Sequence, residues 1–325
     1  MKVLMNDISS NRDEWLKLRS KTVGSSEIST IVGLNKWDTP LKLWMRKTGR
    51  EDAIEDNDAM RLGRMLESFI GEKFARDNEK FVAPANILLS HEVHDSFTAS
   101  PDFWILDEDK PDTHSFDPAN ISGVVECKNV NYRLLEEWED GNCPNHAQIQ
   151  LQWQLGVTGL SGGYVAGLVG AQVNNFYSRH FEADAKIIDN LFESAYCFLE
   201  MVKSDTPPQA VASDRKTVED NMKLNNSFVR LPESAVSLLS KYLDVSLERK
   251  GIEETLKKEK DIENSYRVQL ETMLGDSSVG IVGDYFIQAK RVHKGSYVVD
   301  PHSYVLFTVK PLDKLSKKDK ELYGI

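Results

Sequence analysis

The amino-acid sequence predicts an α/β fold, a mixed sheet flanked by helices. Three observations predict it. Apolar residues recur at helical spacing through the first 77 residues. Short β-rich runs bounded by polar residues follow, between positions 87 and 128. Helix and strand signals then alternate as far as Val202.

The elements read in order. Asp13 is expected to cap a short helix through Trp15, Leu16 and Leu18, and Ser25 or Ser26 the next, with Ile28, Ile31 and Val32 on its apolar side. Thr39-Pro40 opens a third helix, Leu41–Thr48, with proline in the first turn and Gly49 past the end. Asn57 or Asp58 caps a long helix, Ala59–Asp77, whose apolar face runs Met60, Leu62, Met65, Leu66, Phe69, Ile70 and Phe74. Strands are expected at Ile87–Leu89, Phe97–Ala99, Phe103–Leu106 and Gly123–Lys128, with Glu108–Asn120 as a hairpin loop. A short helix at Leu134–Glu139 and a glutamine-bearing one at Asn145–Thr158 follow. Then come strands at Gly162–Leu168 and Asn174–His180 and a helix over Glu182–Val202.

Ser204-Asp-Thr-Pro-Pro208 is a turn-rich break. It divides an expected core, residues 1–205, from residues 206–325, read as a helical or coiled-coil arm over Pro232–Leu274 and a β-rich tail over Val279–Val309. The arm's apolar seam is Leu239, Tyr242, Val245, Ile252, Leu256, Tyr266, Leu270 and Met273.

Composition narrows the classes. With 325 residues, 40 % apolar and 28 % charged, the chain suits a soluble globular protein that buries its core without staples. No stretch approaches the roughly 20 apolar residues of a membrane span. The opening MKVLMNDISSNRDEW lacks a signal peptide's apolar run, so a cytoplasmic location is expected. Cys127, Cys143 and Cys197 match no zinc pattern and no disulfide framework. A net charge of -11 argues against coating DNA by bulk electrostatics. Two facts soften that. A metal site must gather carboxylates, and from Trp15 to Arg50 eight Lys or Arg stand against two acids. That local excess can track phosphates, although a solvated helix face reads the same way.

The chemistry concentrates in Ser100-Pro101-Asp102 and Val124-Val125-Glu126-Cys127-Lys128. Adjacent strands about 4.8 Å apart can bring Asp102 and Glu126 to one edge. Residues 126 and 128 are two apart on a strand and so share a face. Two carboxylates and a backbone carbonyl are hard oxygen ligands that suit Mg2+. A lysine beside them can hold and polarise a water or neutralise charge on a phosphorane, which is the equipment of metal-assisted phosphodiester hydrolysis. A lone Glu-x-Lys is common and is ordinarily two solvated charges. The apolar run Gly123-Val124-Val125 before it implies a buried strand whose polar end must reach something. Glu67 is a third candidate acid on the near-buried side of its helix, with Gly63 expected to let that helix lie close to the sheet.

Five motifs in order resemble the lambda exonuclease / YqaJ-type viral recombinase family, a branch of the PD-(D/E)xK nucleases with a restriction-endonuclease-like core. They are Trp15-x-x-Leu18-Arg19 with Gly24-Ser25-Ser26-Glu27, Leu62-Gly63-x-x-x-Glu67, Ser100-Pro101-Asp102, Glu126-Cys127-Lys128 and His146-Ala147-Gln148-Ile149-Gln150. The match spans roughly residues 12–200. The resemblance implies that Asp102 and Glu126 ligate Mg2+ (with Mn2+ substituting), helped by the Cys127 carbonyl, and that Glu67 serves a second metal or its water. It makes Lys128 the catalytic lysine and Gln148 the residue that orients the nucleophile or holds Lys128, with Gln150 as the other candidate. Arg19, Ser25 and Ser26 would bind a 5′ phosphate; an arginine fork suits phosphate, and so do N–H groups at a helix start. The bland reading of Arg19 is a surface cation, and of Ser26 only a cap.

The activity so implied is a Mg2+-dependent exonuclease on linear double-stranded DNA. It would degrade the 5′-ended strand and pass a 3′ overhang to a single-strand annealing recombinase of the same phage or mobile element, working as a homo-oligomer, by resemblance a trimer. Competing readings are a nuclease of the same fold with another polarity or an endonuclease, a non-catalytic DNA-end-binding module, and a coiled-coil scaffold. The three scattered cysteines disfavour a Cas4-like enzyme with an iron–sulfur cluster.

Overall fold

The structure, a computed structural model, describes residues 1–52, 54–107, 118–222, 229–277, 279–282 and 285–289. The chain forms two compact units, Met1–Asn221 and Met222–Ile325.

The first unit begins with β1 (Lys2–Asn6), α1 (Arg12–Lys21), β2 (Val23–Gly24), α2 (Ser25–Ile31) and α3 (Pro40–Lys47). Helix α4 (Asp58–Asp77) and strands β3 (Phe81–Pro84), β4 (Ile87–Ser90), β5 (Phe97–Ala99), β6 (Phe103–Leu106) and β7 (Ile121–Val130) follow. Then come α5 (Asn145–Thr158), β8 (Gly162–Val169), β9 (Phe176–Glu182), α6 (Ala185–Lys203) and α7 (Arg215–Asn221).

Two mixed sheets result, ordered β3-β6-β7-β8-β9 and β1-β4-β5-β2. In the larger, β7 and β8 run parallel and every other pair antiparallel. Parallel neighbours need a crossover, and α5 supplies it. Along β7 the side chains alternate. Val125 and Cys127 pack with Ile70 and Phe74 of α4. Val124 packs with Leu151 and Leu155 of α5. The sheet is therefore sandwiched between α4 and α5. Beyond α5 a further cluster joins Trp153 and Val157 to β5, α2, α3 and α6. Helix α5 is thus buried on nearly all sides.

Several local expectations change. The cap of α1 is Asn11, and Asp13 lies in the first turn, where its charge suits the helix dipole. Helix α2 is capped at Gly24, whose N–H donates to Glu27 Oε2 at 2.9 Å. Ser25 and Ser26 both lie inside α2, because Gly24 is held extended by pairing with β5. Thr39 and Asn57 do cap α3 and α4, accepting from Lys42 N and Met60 N. Gly63 meets nothing within 4 Å, whereas a Cβ on Gly71 would lie 2.4 Å from the Phe103 ring. Gly71 is therefore the position that lets α4 approach the sheet. The segment expected as a helix at Leu134–Glu139 is a 3-10 turn over Tyr132–Glu137. Strands β1, β2 and β3 and helix α7 carry no expectation from the sequence. The hairpin loop over Glu108–Asn120 falls mostly on residues 108–117, outside the described residues.

The first unit also extends past the break at 204–208. Buried Asp214 accepts from Thr39 Oγ1 and from Val211 N, so the segment before α7 is tied to the cap of α3. The second unit holds α8 (Ser234–Leu274), ended at Gly275 with φ +57°, and a hairpin of β10 (Val279–Val282) and β11 (Tyr285–Gln288). The expected tail beyond residue 289 lies outside the described residues. Among the described residues no helix is long and apolar enough to cross a membrane.

Candidate functional site

Pro101-Asp102 immediately precedes β6, and Phe103 pairs with Val125 of β7. That register sets Asp102 beside the polar end of β7. Asp102 Oδ2 accepts the Cys127 N–H at 2.7 Å. Glu126 and Lys128 project on the α5 side of the sheet, opposite to Val125 and Cys127. Glu126 is 3 % exposed, and a carboxylate so enclosed needs donors. It has them. Lys128 Nζ donates to Glu126 Oε1 at 2.6 Å, Gln150 Nε2 donates to the same oxygen at 2.6 Å, and Gln154 Nε2 donates to Oε2 at 2.6 Å. Gln150 Oε1 in turn accepts from Lys128 Nζ at 2.7 Å. Lysine, carboxylate and amide form a closed triangle.

The four glutamines of α5 therefore divide their work. Gln148 Nε2 donates to the Cys143 carbonyl at 2.6 Å, so it braces the helix start and does not meet Lys128. Gln150, the other candidate, holds that place. Gln152 bridges Glu182 O and Asp184 N, and Gln154 reaches Glu126. Gln154 was not singled out from the sequence. Its face is shared with Gln150 at i, i+4, but Gln148 and Gln152 have the same spacing, so spacing alone does not choose between the pairs.

Charge crowding marks the acidic part. Burial, then the neighbouring charges of Glu126 and Glu67, push the Asp102 carboxyl well above its ordinary value. Burial and Glu126 also raise Glu67. At Lys128 burial works against the ammonium, but the charge and hydrogen bond of Glu126 outweigh it and the pKa rises. Burial, then Asp102, raise the Cys127 thiol, so it stays protonated. Among the described residues, Asp102 Oδ1 and the Glu67 carboxylate accept no hydrogen bond. Crowded carboxylates with open lone pairs are what a hard divalent cation relieves. Among the described residues no three His, Cys, Asp or Glu side chains form a ready-made cage. The Asp102 and Glu126 carboxylates and the Cys127 main-chain carbonyl are nonetheless hard oxygen donors of the kind that, with solvent, suit Mg2+.

The N-terminal motif assembles beside it. The Arg19 guanidinium lies 4.8 Å from the Trp15 ring centroid and donates to Ser26 Oγ at 2.7 Å, with Glu27 Oε1 at 3.7 Å. Lys47, also missed, locks the base of this motif. Its Nζ, almost fully enclosed, donates to Arg19 O at 2.9 Å, Thr22 O at 2.6 Å and Glu27 Oε1 at 3.1 Å. Burial lowers the Lys47 pKa. Ser25 is buried, and among the described residues its hydroxyl has no hydrogen-bond partner. One cleft of about 500 Å³ is lined by Arg19, Ser25 and Ser26 together with Glu67, Asp102 and Gln150. The N-terminal group and the acidic residues named from separate sequence motifs therefore open on one space.

A mixed sheet carrying Asp102 before one strand, and Glu126 and Lys128 on its neighbour, is a PD-(D/E)xK-like core. The chain belongs to the family of the YqaJ-like viral recombinase domain, whose family model matches residues 14–161. The uncharacterized protein YqaJ of Bacillus subtilis (strain 168) is 30 % identical over 293 residues, covering 87 % of this chain and 84 % of that protein. Among solved structures, an alkaline exonuclease (LHK-Exo) from Laribacter hongkongensis superposes with a TM-score of 0.49 at 19 % identity, over 60 % of this chain and 94 % of that one. A phage-related exonuclease from Haemophilus somnus 129PT gives a TM-score of 0.39 at 13 % identity, over 57 % and 96 % of the two chains.

Proposed function

We propose that this protein is a Mg2+-dependent exonuclease that digests the 5′-ended strand of linear double-stranded DNA. The product would be a 3′ single strand suited to an annealing recombinase. The observation that carries the reading is the shared cleft, in which an arginine–serine group faces the carboxylates of Glu67 and Asp102 and the Gln150 amide that holds Lys128. An exonuclease must hold an end and cut next to it, so it needs both groups within reach of one strand.

Asp102, Glu126 and the Cys127 carbonyl are the proposed holders of the ion, with Glu67 facing it. When bound, the ion supplies Lewis-acid polarisation of the phosphodiester. Lys128, fixed by Glu126 and Gln150, presents an ammonium to the attacking water and to the charge that develops on phosphorus. Arg19 offers a planar fork to a terminal phosphate, and the unpartnered Ser25 hydroxyl can add a donor.

The test is digestion of linear duplex, labelled at either 5′ or 3′ ends, beside a closed circle, with and without Mg2+. Loss of 5′-ended nucleotides from the linear form alone is expected. Asp102→Ala and Lys128→Ala should each lower the rate by about 10²–10³-fold, the usual cost of removing a transition-state stabiliser. Arg19→Ala should erase a preference for 5′-phosphorylated ends while leaving slow cutting intact. Wild-type rates in Asp102→Ala or Lys128→Ala would remove the assignment, and cutting of the circle would make the enzyme an endonuclease.

A further inference from the structure

Helix α8 is 41 residues long, which is about 60 Å of helix. None of its residues is buried. Nine of its apolar side chains nevertheless fall on two lines that repeat every seven residues, while others, Leu239, Leu243 and Leu247 among them, lie off these lines. Leu238, Val245, Ile252, Tyr266 and Met273 occupy one line, interrupted only by Glu259. Ala235, Tyr242, Leu256 and Leu270 occupy the adjoining line, interrupted by Arg249 and Glu263. The exposure of these apolar residues runs as high as 81 % at Met273. Two lines repeating every 3.5 residues on average define a left-handed coiled-coil seam. Polar residues within such a seam cost stability and are tolerated where they fix orientation and register.

We propose that α8 pairs in antiparallel fashion with α8 of a second copy of this chain. Charge selects this occupant. When two copies are set antiparallel with Arg249 facing Glu259, the whole seam falls into register. Ala235 then faces Met273, Leu238 faces Leu270, Tyr242 faces Tyr266 and Ile252 faces Leu256. The same register sets Ser234 against Leu274, so the helices overlap from end to end. By symmetry the Arg249–Glu259 layer occurs twice. Arg249 also pairs with Glu253 on its own helix, and its fork has N–H groups for both. Glu263 faces Val245, one turn from Arg267, which pairs with Glu271 on the same helix.

Other arrangements fail on charge. A parallel pair stacks Arg249 on Arg249, Glu259 on Glu259 and Glu263 on Glu263, each a like-charge contact in a desolvated seam. Sliding the antiparallel pair by seven residues in either direction sets Arg249 against Ile252 or Tyr266 and leaves both glutamates on apolar residues. One register alone lets the cation and an anion meet.

The test uses the full-length chain carrying Cys197→Ser, since Cys197 is the exposed cysteine and Cys127 and Cys143 are buried. Leu238→Cys and Leu270→Cys are added singly and together, and disulfide-linked dimers are measured under mild oxidation. The double variant should cross-link efficiently, and each single variant should remain monomeric on a denaturing gel. In the double variant, Arg249→Glu or Glu259→Arg should each weaken pairing by about 100-fold or more, and the two together should restore it. All four positions lie on an exposed helix surface, so folding of the first unit is not at stake. Efficient cross-linking of Leu238→Cys alone would establish a parallel pair and overturn the proposal. No cross-link in the double variant, with the protein folded, would mean that something else covers the seam and would overturn it too.

Discussion

Helices α5 and α8 make opposite use of their side chains. The shorter, α5, carries four glutamines and still lies inside the molecule, with Leu151 and Trp153 at 0 % exposure. The longer, α8, carries a run of aliphatic residues and has none buried. Composition therefore does not decide burial; partners do. Each glutamine of α5 finds a carbonyl, carboxylate or N–H within hydrogen-bond distance, which offsets the cost of taking an amide out of water. The leucines of α8 have no such support within their own helix, because a single helix offers nothing on which to close a seam.

This contrast can be broken by substitution, and the largest effect belongs to the aliphatic residues of α5. Leu151→Ala should cost about 2–5 kcal/mol in chemical denaturation, since it opens a cavity between α5 and the sheet. A loss under about 1 kcal/mol would show that α5 is less tightly enclosed than described. Next comes Gln150→Leu. It unties Lys128 and Glu126 and should lower kcat by about 10–100-fold with little change in KM, as removal of a supporting hydrogen bond usually does at a metal site. Gln148→Leu is the control. It should cost about 1 kcal/mol of stability through the lost bond to Cys143 and leave kcat near wild type. If the two variants exchanged these phenotypes, the roles assigned to the two amides would be reversed. The smallest effect is Leu247→Ala, at a 67 % exposed position outside the heptad seam of α8. Its change in unfolding free energy should stay within about 0.5 kcal/mol.

What was legible in the sequence follows the same division. Period-two and period-3.6 patterns marked α3 to α6 and β4 to β8 because those elements bury one face or both. Asp102, Glu126 and Lys128 were legible because an apolar strand ending in charge must deliver that charge somewhere. The choice between Gln148 and Gln150 was not legible. Both lie on a helix buried nearly all round, so no apolar stripe marks which face meets β7. Strands β1 and β3 were missed for another reason. Each is four or five residues long at the rim of its sheet, and half-exposed strands of that length leave little periodicity to read. Strand β2 has two residues, and only its pairing with β5 makes it a strand. Lys47 looked like one surface cation among eight, and its burial depends on carbonyls that converge only after α1 and α3 have packed.

The close approach at Gly71 reaches further than packing. Glu67 stands one helical turn before it on α4, and Phe103, which fills the space over Gly71, stands next to Asp102 on the chain. Any side chain at 71 would act as a shim between helix and sheet. It would lift the Glu67 carboxylate away from Asp102 and Glu126 or turn the ring of Phe103, the residue that follows Asp102 in the chain. The gauge of the acidic cleft is thus set at a position that carries no charge and touches no substrate.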